Sequence, residues 1–191
     1  MDVDAIVALY AQGLFPMDDP AAEELPWYAA DPRTVFDLDA ATLARARRTV
    51  RRSLRAGEGW QLRLDLAFDE VIAACGRPRH ADDGVWLTPR MHALYRALHA
   101  RGLCHTFEIW VDGELGAGLV AVTLRRAAML ESMFHRVPHA GNVLLVRTLE
   151  ELAGGGCELV DLQLSTEHTL RLGAREVPRA EYDDRLRRAL R

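Results

Sequence analysis

The chain has 191 residues, about one domain's worth, and its 49% hydrophobic and 27% charged content excludes a disordered protein. All 24 basic residues are arginine, so Schiff-base lysines and the phosphate-binding P-loop are excluded, and three cysteines without a CxxC pair exclude a disulfide framework and the common zinc patterns. A net charge of −4 predicts no general affinity for nucleic acid, and the charge-free run at 115–124 falls far short of the ~20 residues that cross a membrane.

The acidic N-terminus lacks the basic start of a secretory leader, so a cytoplasmic location is expected. Residues 2–13 predict a helix. Val3, Ile6, Val7 and Tyr10 recur at helical spacing, Asp2 can cap the start and Gly13 can end it. Residues 14–33 hold four of the eight prolines together with Phe15, Met17, Trp27 and Tyr28. A loop with so many bulky apolar groups is packed down or awaits a ligand. A short strand at 34–38 precedes a helix at 40–55.

That helix carries Arg45, Arg47, Arg48, Arg51, Arg52 and Arg55 and no acid, while Leu43, Ala46, Val50 and Leu54 share its other face. Six like charges are either a solvated face or a surface for a polyanion. A strand at 60–66, a helix at 68–75, an irregular stretch to Trp86 and a helix from Pro89 to Gly102 follow. Strands are predicted at 104–111, 114–124 and 126–134, the first two joined by an Asp112-Gly113 hairpin turn. Next come a helix at 140–153, a strand at 157–164, a short helix at 166–172, a short strand at 174–177 and a last helix at 179–190. This order predicts an α+β (mixed α/β) fold whose central mixed sheet has a crossover helix, the layout of GNAT-type acyltransferases.

Glu131 ends the third strand of this region, and Asp161 and Gln163 project from one side of a later strand. If these strands are neighbours, two carboxylates and an amide face one cleft and can orient an amine or bind a cation; otherwise each carboxylate meets an arginine. Trp86 and Tyr95 flank a helix start and read either as core or as site residues. Ser132 lacks a histidine at a telling spacing. His99, His105, His135, His139 and His168 show no ligand pattern, and no metal site is expected. A CoA-binding turn needs glycine where the segment 136–141 has His139, which opposes a CoA-dependent N-acetyltransferase. A non-catalytic tRNA-binding module is opposed by the set Glu131, Asp161 and Gln163.

GLFPM at 13–17, WYAADPR at 27–33, GVWLTPRM at 84–91, GLCHTFEIWVDGEL at 102–115, ESMF at 131–134, DLQ at 161–163 and LGAREVPR at 172–179 occur in this order. Together they resemble the leucyl/phenylalanyl-tRNA–protein transferase family over nearly the whole chain. The resemblance implies transfer of Leu or Phe, with Met as a further donor, from charged tRNA to proteins that begin with Arg or Lys, marking them for degradation. It implies a small N-terminal domain at 1–38 and a GNAT-like domain at 39–191, acting as a monomer. Aminoacyl-tRNA is then the co-substrate and no cofactor is needed. Asp161 and Gln163 match the family's transfer-site pair, and Glu131 matches a residue that helps bind the acceptor. Trp86 and Tyr95 match contacts to the aminoacyl-adenosine. Leu119, Met129, Leu145, Leu152 and Val160 match the lining of the pocket for the Leu or Phe side chain. The arginine helix matches the family's basic patch for tRNA. Met17 stands where the family usually has tryptophan, and His139-Ala-Gly-Asn142 replaces an N-A-S-K stretch.

Overall fold

Alternating apolar residues between 104 and 135 build the antiparallel half of a sheet. In the computed structural model, which describes residues 2–77 and 87–191, β5 (Cys104–Val111), β6 (Glu114–Leu124) and β7 (Ala127–His135) form a meander, with β4 (Gln61–Leu64) antiparallel on the outer edge of β5. The turn between β5 and β6 pairs Val111 with Glu114, and both Asp112 and Gly113 have positive φ, as a type I′ turn requires. β8 (Leu159–Gln163) joins β7 in parallel, and β3 (Arg33–Phe36) and β9 (Arg175–Val177) complete the order β4-β5-β6-β7-β8-β3-β9.

Two apolar layers cover this sheet. One face packs on α1 (Val3–Ala11), α4 (Phe68–Cys75), α5 (Pro89–His99) and α8 (Arg179–Ala189), through residues such as Tyr10, Val71, Leu94 and Leu186. The other packs on α2 (Ala40–Thr49), α3 (Arg51–Ala56), α6 (Ala140–Gly154) and α7 (Glu167–Leu172), through Ala46, Val50, Leu144 and Leu172. Gly118 of β6 allows the first layer to close, since a Cβ there would lie 2.6 Å from Phe134 and 2.7 Å from Val71. Residues 1–38 supply β3 to this sheet and Ile6 and Tyr10 to its core.

The single helix expected at 40–55 is two. The backbone leaves helical geometry at Val50 (φ −107°, ψ 22°). Ala46, Val50 and Ser53 stay on the buried side across the break, so helical spacing continues through it. The proline-rich loop contains a two-residue pairing the sequence did not announce, β1 (Phe15–Pro16) with β2 (Trp27–Tyr28). Arg90 ties this loop to α5. It pairs with the buried Asp18 and donates to the Glu23 carbonyl at 2.9 Å.

Candidate active site

β7 and β8 pair only from Ala127 and Leu159 to Met129 and Asp161, and a pocket opens beyond the last pair. Two local features shape this end. In β7, Ala121 of β6 faces Leu130 and Val120 faces Ser132, so Glu131 is the extra residue of a β-bulge. The bulge changes the strand's phase. Leu130 and Met133 pack with the α6 layer, while Phe134 packs with the other layer. In β8, Gln163 takes a left-handed backbone with φ 58°. Its N–H donates to Asp161 Oδ1 at 2.8 Å, so the carboxylate two residues back fixes the kink that ends the strand.

Asp161 is held on all sides. Arg33 Nε donates to Oδ1 at 2.8 Å and its Nη2 to Oδ2 at 2.6 Å, while the Tyr182 hydroxyl donates to Oδ2 at 2.7 Å. The Asp161 and Arg33 side chains are 0% and 1% exposed. With four donors the carboxylate has no free lone pair directed to a substrate, so its geometry is that of an anchor. Arg33 also donates to the Gly13 carbonyl at 3.2 Å, and its guanidinium lies over the rings of Phe15 and Tyr182. Gly13 must lack a side chain here: its φ is 74° and a Cβ would come within 2.6 Å of Tyr182. One clasp thus joins the segments GLFPM, WYAADPR and DLQ and the last helix.

Glu131 has the opposite environment. Its Oε2 accepts from the Tyr95 hydroxyl at 3.0 Å, and Oε1 lies 3.5 Å from the Gln163 amide. With the amide turned over, its nitrogen donates to the Leu162 and Leu130 carbonyls at 2.9 Å each and its oxygen faces Glu131. Tyr10 Oη is buried without a hydrogen bond of ordinary geometry and still feels the Glu131 charge. Burial foremost pushes the Glu131 carboxyl up to about 8; the charge on Asp161 adds to this, while Tyr95 and Arg33 oppose it. Glu131 lines the pocket, and among the described residues it is the only Asp or Glu that does. In the amide-flipped arrangement a protonated Glu131 can donate to Gln163 Oε1.

The pocket has a volume of about 590 Å³. Its apolar part comprises Leu119, Leu130, Met133, Leu145, Leu162 and Leu164. Its polar part comprises Ser132, His135, His139, Asn142, His168 and the threonines of the α7 start. Of the five residues expected to hold the donor side chain, Leu119 and Leu145 line it. Met129 is buried in the opposite layer, Val160 is fully buried in the α6 layer, and Leu152 borders a separate cavity beside Cys157. Tyr95 is fully buried under Glu131, and Trp86 lies outside the described residues. Sequence reasoning missed Arg33 and Tyr182. Both belong to motif segments or sit beside them, but their partner Asp161 is 128 and 21 residues away.

A second groove, of about 450 Å³, runs between α2, α3 and α6 and is lined by Arg47, Arg48, Arg51, Arg55 and Arg147. Arg45 and Arg52 are exposed beside it. Among the described residues only Arg47 of the six helix arginines forms an ion pair, with Glu150. Arg147 is spent on the Gly57 and Trp60 carbonyls. The remaining five helix arginines are exposed and form no ion pair among the described residues, and Glu58 and Glu150 also line the groove.

The mixed sheet, with a cleft where β7 and β8 part, defines a mixed α/β protein. FemX has a similar fold, with a TM-score of 0.56 at 11% identity, over 92% of this chain and 66% of that one. The family described as leucyl/phenylalanyl-tRNA protein transferase matches residues 37–187, and the chain belongs to it. The leucyl/phenylalanyl-tRNA–protein transferase of Anaeromyxobacter dehalogenans (strain 2CP-C) is 43% identical over 191 residues, covering 100% of this chain and 80% of that protein. That of Nitrosomonas europaea is 37% identical over 183 residues, covering 96% and 75%. No described helix is long and apolar enough to cross a membrane.

Proposed function

We propose that this chain is an aminoacyltransferase of the GNAT-like kind that moves Leu or Phe from charged tRNA to the N-terminal α-amine of proteins beginning with Arg or Lys. The observation that carries this reading is one pocket, part apolar and part polar, whose lining among the described residues includes one carboxyl, Glu131, together with an arginine-lined groove. The apolar part suits an uncharged side chain, the polar part suits a nucleoside, and the groove suits phosphates.

The reaction joins the amine nitrogen to the ester carbonyl carbon and breaks that carbon's bond to the ribose oxygen. One proton must leave the nitrogen and one must reach the departing oxygen. The ester is already activated, so the protein's task is to position two reactants and handle that proton. With no acceptor bound, burial holds the Glu131 carboxyl at about 8, in the range of a free α-amine (~7.7–8.0). A cation entering the pocket favours the ionised carboxylate, which is how Glu131 selects Arg or Lys at the acceptor terminus. Asp161 acts one step back: through the Gln163 N–H it holds the kink that aims the Gln163 amide at Glu131.

The test is transfer of labelled Leu or Phe from charged tRNA to an Arg-initiated peptide, with a Glu-initiated peptide as control and acetyl-CoA as competing donor. Labelling of the Arg peptide alone, from tRNA alone, is expected. Acetyl transfer instead, or equal labelling of both peptides, would overturn the reading.

A further inference from the structure

His139 stands at the polar rim of the pocket, immediately before α6, with a left-handed backbone of φ 72°. It does not stand free. Asn142 Nδ2 donates to Ser53 Oγ at 2.9 Å, and Ser53 Oγ lies 3.1 Å from His139 Nδ1. Asn142 fills one lone pair of that oxygen and leaves the hydroxyl proton available to donate to Nδ1 in the tautomer that bears its proton on Nε2. With Nδ1 accepting from Ser53, the Nε2–H is left to face the pocket. Ser53 is 4% exposed and sits behind the ring, where no substrate reaches it. The arrangement presents one N–H of defined direction.

Ser53 belongs to α3, whose outer face carries Arg51, Arg52 and Arg55. His139 therefore lies between the arginine groove and the pocket. A strand of RNA whose phosphates meet that groove, and whose aminoacyl end enters the apolar part of the pocket, passes over His139. We infer that His139, oriented by Ser53 and Asn142, donates a hydrogen bond to an oxygen of the sugar–phosphate backbone at the 3′ end of the donor RNA. This rests on the reading that the donor is charged tRNA. His139 is then a donor-binding residue, and Ser53 and Asn142 are positioning residues that act through it.

The test compares Leu-tRNA with leucyl-adenosine, which has the ribose but no phosphate, in wild type and in His139→Gly. Glycine suits a positive φ, so this variant removes the ring without straining the backbone. The KM for Leu-tRNA should rise about three- to ten-fold, the usual weight of one hydrogen bond, with kcat nearly unchanged. Ser53→Ala should move KM in the same direction by less, because the ring stays and only its orientation is freed. A rise with both donors assigns the oxygen to the ribose; a rise with Leu-tRNA alone assigns it to a phosphate. Unchanged KM for both donors, or a fall in kcat at unchanged KM, would overturn the inference. Wild-type protein that accepts neither donor would instead refute the donor reading itself.

Discussion

Asp161→Asn keeps the size of the side chain and removes its charge. The Arg33 guanidinium would stay buried with no countercharge, and the new amide group would face at least one donor among Arg33, Tyr182 and the Gln163 N–H. Breaking a buried pair from one side costs about 3–5 kcal/mol. In a chain of this size each kcal/mol lowers Tm by about 2–4 °C, so a loss of roughly 6–20 °C is expected. Thermal unfolding followed by far-UV circular dichroism reads this directly. Single-turnover transfer, measured well below both midpoints, gives the catalytic consequence separately. The double variant Arg33→Met/Asp161→Leu should recover at least half of the lost stability, because apolar replacement of a whole buried pair is close to neutral. Recovery stays incomplete because the Tyr182 hydroxyl and the Gln163 N–H still lose their acceptor. A variant Asp161→Asn that melts with wild type yet transfers a hundred-fold more slowly would refute this reasoning. It would mean that the charge of Asp161 acts on the substrate.

Glu131 titrates near 8 in the folded state against an ordinary 4.5, so the native protein keeps a proton that the unfolded chain gives up. Wild-type stability should therefore decline as pH rises from about 5 to 8, and Glu131→Gln, which cannot ionise, should gain on wild type over that window and level off above it. Urea midpoints at several pH values measure this, and a pH-independent difference would refute the shifted carboxyl; the same variant should lose transfer. Replacing Arg48, Arg51 and Arg55 with Ala should weaken tRNA binding and reduce the slope of log K against log salt by roughly 0.7–0.9 for each phosphate no longer neutralised. An unchanged slope would make the groove a solvated face. Leu119→Phe narrows the apolar part of the pocket and should reduce Phe transfer more than Leu transfer, where equal losses would place the donor side chain elsewhere.

The elements were legible because apolar periodicity is local. The strands at 104–134, the Asp112-Gly113 turn and the helix before Gly155 all follow from spacing and turn chemistry. The i, i+2 relation of Asp161 and Gln163 was equally readable, as was the choice for Asp161 between a substrate and an arginine. Which arginine could not be read. Arg33 is one of 24 and sits on β3, an N-terminal strand inserted between β8 and β9. The break at Val50 was hidden because the buried face runs through it.

By itself the sequence determined most of the secondary structure, the family and the candidacy of Glu131, Asp161 and Gln163 for one cleft, since each is written in short-range pattern and residue identity, whereas Met129, Val160 and Leu152 were assigned to a pocket they do not line. Tertiary structure alone decided the surroundings of these side chains. Glu131 and Asp161 are the same kind of group 30 residues apart. The bulge in β7 turns one into a buried setting beside the pocket, where desolvation favours its neutral form. The antiparallel seat of β3 gives the other a buried cation. A carboxyl's task follows from its surrounding charges and dielectric, and those come from strands paired across more than a hundred residues.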